Sequence, residues 1–87
     1  MAFCTYIIYS ALKNKYYCGI SNDINKRLKE HNTGKCRSTK YGIPWTLVFY
    51  EESTTRETAR TLEVKIKNKS PKKFFEEIDN TLKGAVG

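Results

Sequence analysis

The stretch Tyr17-Cys18-Gly19-Ile20-Ser21-Asn22-Asp23-Ile24-Asn25-Lys26-Arg27-Leu28-Lys29-Glu30-His31 constrains the chain most, because it passes from a strand through a glycine into a capped helix. Its first half is rich in aromatic and β-branched residues, and Gly19 permits the close approach of another backbone or a ligand. Ser21, Asn22 and Asp23 are side chains that start helices, since their oxygens accept the first, otherwise unpaired backbone N–H groups. On the helix, Ile24, Leu28 and His31 share one stripe, with Arg27 at its edge. Arg27 and His31 stand four residues apart and project side by side. Tyrosine, arginine and histidine brought together make a phosphate-handling site plausible.

The length of 87 residues suits one domain over residues 1–87, near the size at which aromatics must be buried efficiently. Six tyrosines, four phenylalanines and one tryptophan supply that bulk. The net charge is +7, and it is uneven: residues 1–42 carry eight Lys and Arg side chains against Asp23 and Glu30. That asymmetry favours a polyanion, most simply nucleic acid, over a neutral small molecule. The plainer reading of the same charge is a solvated surface. No apolar run approaches the roughly 18 residues of a membrane span, and the N-terminus lacks a signal peptide's charged-then-apolar order, so the expectation is a cytoplasmic protein. Cys4, Cys18 and Cys36 form no Cys-x-x-Cys pair, which suggests neither a zinc site nor a disulfide framework.

Residues 3–10 are dense in β-formers and read as the first strand; residues 15–20 read as the returning strand of a hairpin turning at Lys13-Asn14-Lys15. Alternation puts Tyr6 on the face of Cys4 and Ile8, and Tyr17 on the face of Gly19. If the register places both on one face, two phenols converge beside the helix that carries Arg27. That helix is expected from about Asp23 to Asn32, ended by Gly34. A basic loop over residues 33–44 follows, with Lys35, Arg37 and Lys40, and then a third strand over 45–51 with Trp45, Leu47 and Phe49 on one face. Thr54-x-x-Glu57 reads as a capping box opening a second helix to about Lys69. Ser70-Pro71 starts a third helix with Phe74 or Phe75, Ile78 and Leu82 buried, stopped by Gly84. The fold class is therefore α/β, a small three-stranded, mainly antiparallel sheet flanked by three helices.

On the second helix, Leu62, Glu63 and Ile66 fall within about 60° of Ala59 at about 100° per residue. Glu63 thus sits in the core-facing stripe, where a carboxylate is costly unless paired, hydrogen-bonded or bound to a metal. A rim position with an arginine or lysine partner is the plainer alternative.

From Cys4-Thr5-Tyr6 through Tyr17-Cys18-Gly19 to Glu63, the chain resembles a GIY-YIG endonuclease domain of the small stand-alone kind, similar to the nuclease domain of the excinuclease C subunit. In that pattern a Gly-Ile-Tyr strand precedes a Tyr-Ile-Gly strand, then an arginine and a histidine or tyrosine on the next helix, then a metal-binding glutamate. The match continues through Pro44, the strand Leu47-Val48-Phe49-Tyr50-Glu51, and Ala59, Ile66 and Lys67, and spans roughly residues 4–75. Cys4 replaces the first glycine. Phe75 stands where some relatives carry an asparagine, and Asn68 is the only nearby substitute.

The resemblance implies hydrolysis of DNA phosphodiester bonds, structure-dependent or weakly sequence-specific, with a role in DNA repair or recombination; RNA stays open as a substrate. It implies Tyr6, Tyr17, Arg27, His31 and Glu63 as the catalytic set and Glu63 as the ligand of a magnesium or manganese ion, a hard cation suited to carboxylate and water. Arg27 would hold phosphate oxygens with its planar fork. Tyr6, hydrogen-bonded to Tyr17 or His31, would position or deprotonate the attacking water. Lys26, Lys29, Lys35, Arg37 and Lys40 are expected to contact DNA phosphates, which sets affinity without selecting sequence, and a protein partner could deliver the substrate. The alternative is a non-catalytic basic nucleic-acid-binding module on the same fold.

Each residue also has an ordinary use. Hairpin tyrosines usually pack, as Tyr9, Tyr16 and Tyr50 are expected to, and a histidine near a helix C-terminus can simply complement the dipole.

Overall fold

A computed structural model describes residues 2–86, with side chains to residue 79. Three strands, β1 (Phe3–Ser10), β2 (Lys15–Ser21) and β3 (Trp45–Ser53), form one sheet in the order β2-β1-β3, and both pairings are antiparallel. Helix α1 (Ile24–Asn32) and a 3-10 segment (Arg37–Gly42) lie between β2 and β3; α2 (Arg56–Lys69) and α3 (Pro71–Val86) follow. The hairpin turns over residues 11–14, slightly ahead of the expected Lys13-Asn14-Lys15, with Lys15 already paired to Ser10 and Asn14 in the left-handed region (φ 52°), which asparagine tolerates.

β1 runs through the middle of the sheet with both edges paired, α1 covers one of its faces and α2 and α3 the other, and Thr5, Tyr6, Ile7 and Ile8 are buried. Each fully buried isoleucine contributes about 1.5–3 kcal/mol relative to exposure. Cys4, Tyr6, Ile8 and Trp45 face α1 and pack with Ile24 and Leu28. Ile7, Cys18 and Ile66 make the opposite core, closed by Leu62, Phe74 and Phe75 of the later helices.

The register pairs Tyr6 with Gly19 and Ile8 with Tyr17, so the two phenols share the α1 face. β3 departs from the expected alternation. Ile7 pairs with Phe49 but Ile8 with Leu47, which leaves Val48 as an extra residue. Such a bulge reverses the facing of everything beyond it. Trp45 and Leu47 therefore stay with the α1 core while Phe49 turns to the other side and packs edge-on against Phe74 at 5.4 Å. Tyr50, expected to pack, is 55% exposed.

The helix ends follow from their caps. Asp23 accepts from the Lys26 N–H at 3.1 Å and starts α1. At its other end Thr33 N–H donates to Lys29 C=O and Lys35 N–H to Glu30 C=O, with Gly34 left-handed (φ 83°), the glycine-terminated pattern expected there. For α2 the cap is Thr55, which accepts from the Thr58 N–H, and not Thr54. β3 continues to Ser53, which is buried opposite Phe3, so the helix starts one residue later than the Thr54-x-x-Glu57 spacing implies. Ser70 closes α2 through its N–H to Ile66 C=O and opens α3 by accepting from the Lys73 N–H. α3 runs past Gly84 to Val86; the side chain of Leu82 lies outside the described residues.

Candidate active site

Gly19 makes room for the phenol of Tyr6. A Cβ placed on Gly19 would stand 2.6 Å from the Tyr6 hydroxyl oxygen and 2.8 Å from Cζ, so the glycine accommodates a side chain from β1 rather than a foreign backbone. Tyr6 is 1% exposed, and its hydroxyl lies 2.8 Å from Nε2 of His31. His31 is fully buried, and its Nδ1 lies 2.7 Å from the Thr39 hydroxyl. Tyr17 sets its ring edge-on to the same imidazole at 5.4 Å, as does Tyr6 at 5.9 Å. The two phenols, the imidazole and Thr39 thus form one packed polar cluster.

Burial pushes the Tyr6 phenol up to about 12, although the Arg27 guanidinium beside it pulls the other way. Burial also lowers the His31 pKa, and the nearby Arg27 charge adds to that against the opposing pull of Glu30. Both shifts favour the neutral forms, an O–H on Tyr6 and a free ring lone pair on His31.

Arg27 forms the rim of this cluster. Its Nη1 lies 3.2 Å from Glu30 Oε1, and about a third of the side chain is exposed. It faces an open groove of about 320 Å³ that also takes in Ile20, Asp23, Lys26, Glu30 and Arg56. Ile20 and Arg56 line a second groove, of about 360 Å³, with Glu57, Arg60 and Glu63. The two grooves therefore adjoin at the edge of the sheet, where β2 lets α2 come round from the other face.

Glu63 is where its stripe placed it, 8% exposed, and it is also paired as the plainer reading required. Its carboxylate lies 3.1 Å from Lys67 Nζ and 3.5 Å from Arg60 Nη1. Those partners sit on its own helix and are more than half exposed, so the pairs are weak by the usual measure of surface ion pairs. Among the described residues no three His, Cys, Asp or Glu side chains cluster closely enough to hold a metal ion. The donor set is instead one nearly buried carboxylate opening on a groove, with Glu57 on the same wall. That suits a hard ion that keeps water and substrate oxygens for most of its shell, as magnesium does.

The expected phosphate contacts divide. Lys26 lines the Arg27 groove, whereas Lys29, Lys35, Arg37 and Lys40 are exposed on α1 and the segment after it and do not line that groove. The segment expected as a basic loop is wound into the 3-10 turn that brings Thr39 inward. Thr39, against His31, and Arg56 and Arg60, in the groove with Glu63, join the candidate site and were not singled out from the sequence. The arginines carried a readable signal, because Arg56, Arg60 and Glu63 recur at the spacing of one helical face. Thr39 carried none. Asn68 is exposed and about 140° round α2 from Glu63, so it does not stand in for the absent asparagine. Phe75, in that asparagine's place, packs on Tyr16 at 5.8 Å.

The family model described as the GIY-YIG catalytic domain matches residues 2–76. The chain is 38% identical over 72 residues to the UPF0213 protein YazA of Bacillus subtilis, an alignment covering 78% of this chain and 73% of that one. It is 37% identical over 54 residues to a UPF0213 protein of Streptococcus pyogenes, covering 61% of this chain and 59% of the relative. The solution NMR structure of the UPF0213 protein BH0048 from Bacillus halodurans has a similar fold, with a TM-score of 0.56 at 26% identity over 91% of this chain and 84% of that one.

Proposed function

Because the chain belongs to the GIY-YIG catalytic domain family, we propose that it is a divalent-metal-dependent endonuclease that hydrolyses phosphodiester bonds in DNA. The observation that carries this reading is the buried Tyr6–His31 hydrogen bond of 2.8 Å, next to Arg27, which opens on a groove lined also by Lys26 and Arg56.

The Tyr6 phenol, pushed up by burial to about 12, stays protonated at neutral pH and can take a water's proton only if its own has somewhere to go. Here the neutral imidazole of His31 offers Nε2. As a water attacks phosphorus, the water gives a proton to the Tyr6 oxygen while the Tyr6 proton passes to Nε2. The P–O3' bond breaks, the 3' oxygen leaves and takes a proton from solvent to become the hydroxyl, and His31 afterwards releases its proton to solvent so that Tyr6 and His31 return to their starting state. Tyr6 is nearly covered, so the substrate reaches its oxygen past Tyr17 and Arg27, the partly exposed groups beside it. Arg27 binds the non-bridging oxygens with its planar fork and offsets the growing charge. Glu63 would hold a magnesium or manganese ion, which when bound supplies Lewis-acid stabilisation of the phosphorane and the departing oxygen.

Lys26, Arg27, Arg56 and Arg60 at the grooves would bind phosphates and not bases, which supports a nucleic-acid substrate chosen by shape or weak sequence preference, or brought by a partner, as for DNA in repair or recombination. No helix among the described residues is long and apolar enough to cross a membrane, and a cytoplasmic place of action accords with that substrate. The ion pairs that neutralise Glu63 favour one other reading, a non-catalytic nucleic-acid-binding module on the same fold. Incubating the purified protein with branched, single-stranded and duplex DNA and with RNA, with and without magnesium or manganese, separates them. Metal-dependent cleavage supports the nuclease; salt-sensitive binding without cleavage supports the module.

A further inference from the structure

We propose that Thr39 is a positioning residue that holds His31 in the tautomer with its proton on Nδ1, so that Nε2 meets the Tyr6 hydroxyl as an acceptor. The proposal rests on reading Tyr6 and His31 as the proton-accepting pair, and it assigns the direction of that transfer to a residue outside the groove.

The direction follows from the far end of the chain of bonds. The Thr39 Oγ1 lies 3.3 Å from the Cys36 carbonyl and 2.7 Å from His31 Nδ1. The Cys36 carbonyl only accepts, so when the threonine hydroxyl donates to it the oxygen turns a lone pair to the imidazole. In that arrangement Nδ1 carries the hydrogen. A neutral imidazole has one N–H, so Nε2 is bare and the Tyr6 hydroxyl is the donor. The opposite tautomer forfeits the Cys36 bond and makes Nε2 the donor to the phenol oxygen, so that Nε2 cannot take the Tyr6 proton. Thr39 and His31 are both fully buried, so no solvent competes for either ring nitrogen.

The backbone of Thr39 is held as firmly. Its N–H donates to Cys36 C=O at 3.2 Å, and its C=O accepts from the Trp45 indole N–H at 2.6 Å. Trp45 is clamped at main-chain N–H and C=O by the Asn32 side chain, at 2.6 and 3.0 Å. Asn32 follows His31 on α1, so the ring of contacts closes on the helix that carries the imidazole. Gly42 completes it, since a Cβ there would stand 2.6 Å from the Trp45 ring.

His31 is the single histidine of the chain, so nitrogen-15 labelling of the imidazole reports one residue without ambiguity. The wild type is expected to show the proton on Nδ1 at neutral and mildly alkaline pH. Thr39→Val keeps the shape and removes the acceptor; it should shift the tautomer towards Nε2–H and lower kcat by about 10- to 100-fold with little change in KM. Thr39→Ser should restore both. A wild-type proton on Nε2 overturns the assignment, as does a folded Thr39→Val or Thr39→Ser protein whose tautomer runs against these expectations. If Thr39→Val does not fold, the wild-type and Thr39→Ser tautomers decide the matter. A wild type with the proton on Nδ1 that cuts no substrate supports the tautomer assignment and contradicts the hydrolytic reading, so the two failures stay distinct.

Discussion

The Tyr6 hydroxyl lies across Gly19, so close that a Cβ at residue 19 would stand 2.6 Å from its oxygen. The two residues are direct cross-strand partners. Gly19→Ala must therefore displace the phenol or part the strands. Overpacking of this kind costs about 1–3 kcal/mol. Denaturant unfolding should show that loss, and any cleavage activity should fall further than stability explains, because the phenol no longer reaches His31 at hydrogen-bond distance.

Two pH limbs follow from the same pair. His31 has a pKa lowered by burial and by Arg27, so the unfolded chain takes up the proton first as pH falls. The stability contributed by the neutral imidazole is complete above about pH 6.5 and declines below it. Tyr6 is raised to about 12, so its share is complete below about pH 10 and is lost as pH rises towards 12. Two pKa units correspond to about 2–3 kcal/mol for that buried phenol. Unfolding free energies across the range test both limbs, and Tyr6→Phe should flatten the alkaline one.

How far the site could be read from the chain depended on whether local spacing carried the information. The side-by-side placement of Arg27 and His31 was legible because one helical turn supplies a fixed period, and the Glu63 stripe was legible for the same reason, whereas the convergence of Tyr6 and Tyr17 depended on a hairpin register that the turn left open. Phe49 was misplaced because the Val48 bulge breaks the period of two without any glycine to mark it. The cap at Thr55 was one residue late because strand pairing of Ser53 outlasted the capping pattern. Thr39 was invisible: a 3-10 segment has no apolar repeat, and its inward turn depends on Trp45 and Asn32, which come from elsewhere in the chain.

Affinity for DNA should fall steeply with salt, and the slope identifies the surface. Replacing Lys35, Arg37 and Lys40 together by Ala should reduce it by about two to three units if each meets a phosphate. Replacing Arg56 and Arg60 should reduce it by about one to two, since both line the groove beside Glu63. Titrations at several salt concentrations compare them, and an unchanged slope in either variant removes that segment from the binding surface.

Arg27→Ala should leave the fold intact, because the side chain sits at the rim and its pair with Glu30 is partly exposed. Cleavage should fall by about 100- to 1,000-fold, the usual loss when a donor to a developing oxyanion is removed. Single-turnover rates on the best substrate give the comparison.

Glu63→Gln tests the hydrolytic account most directly, since it removes the carboxylate charge while nearly keeping its shape. DNA cleavage should be measured for wild type and variant with magnesium, with manganese and with neither, alongside DNA binding and circular dichroism. The account predicts metal-dependent cutting by the wild type, lost in a Glu63→Gln protein that still folds and still binds. Cutting that persists unchanged in the variant, or a wild type that binds DNA and cuts none of the substrates with either metal, would contradict it.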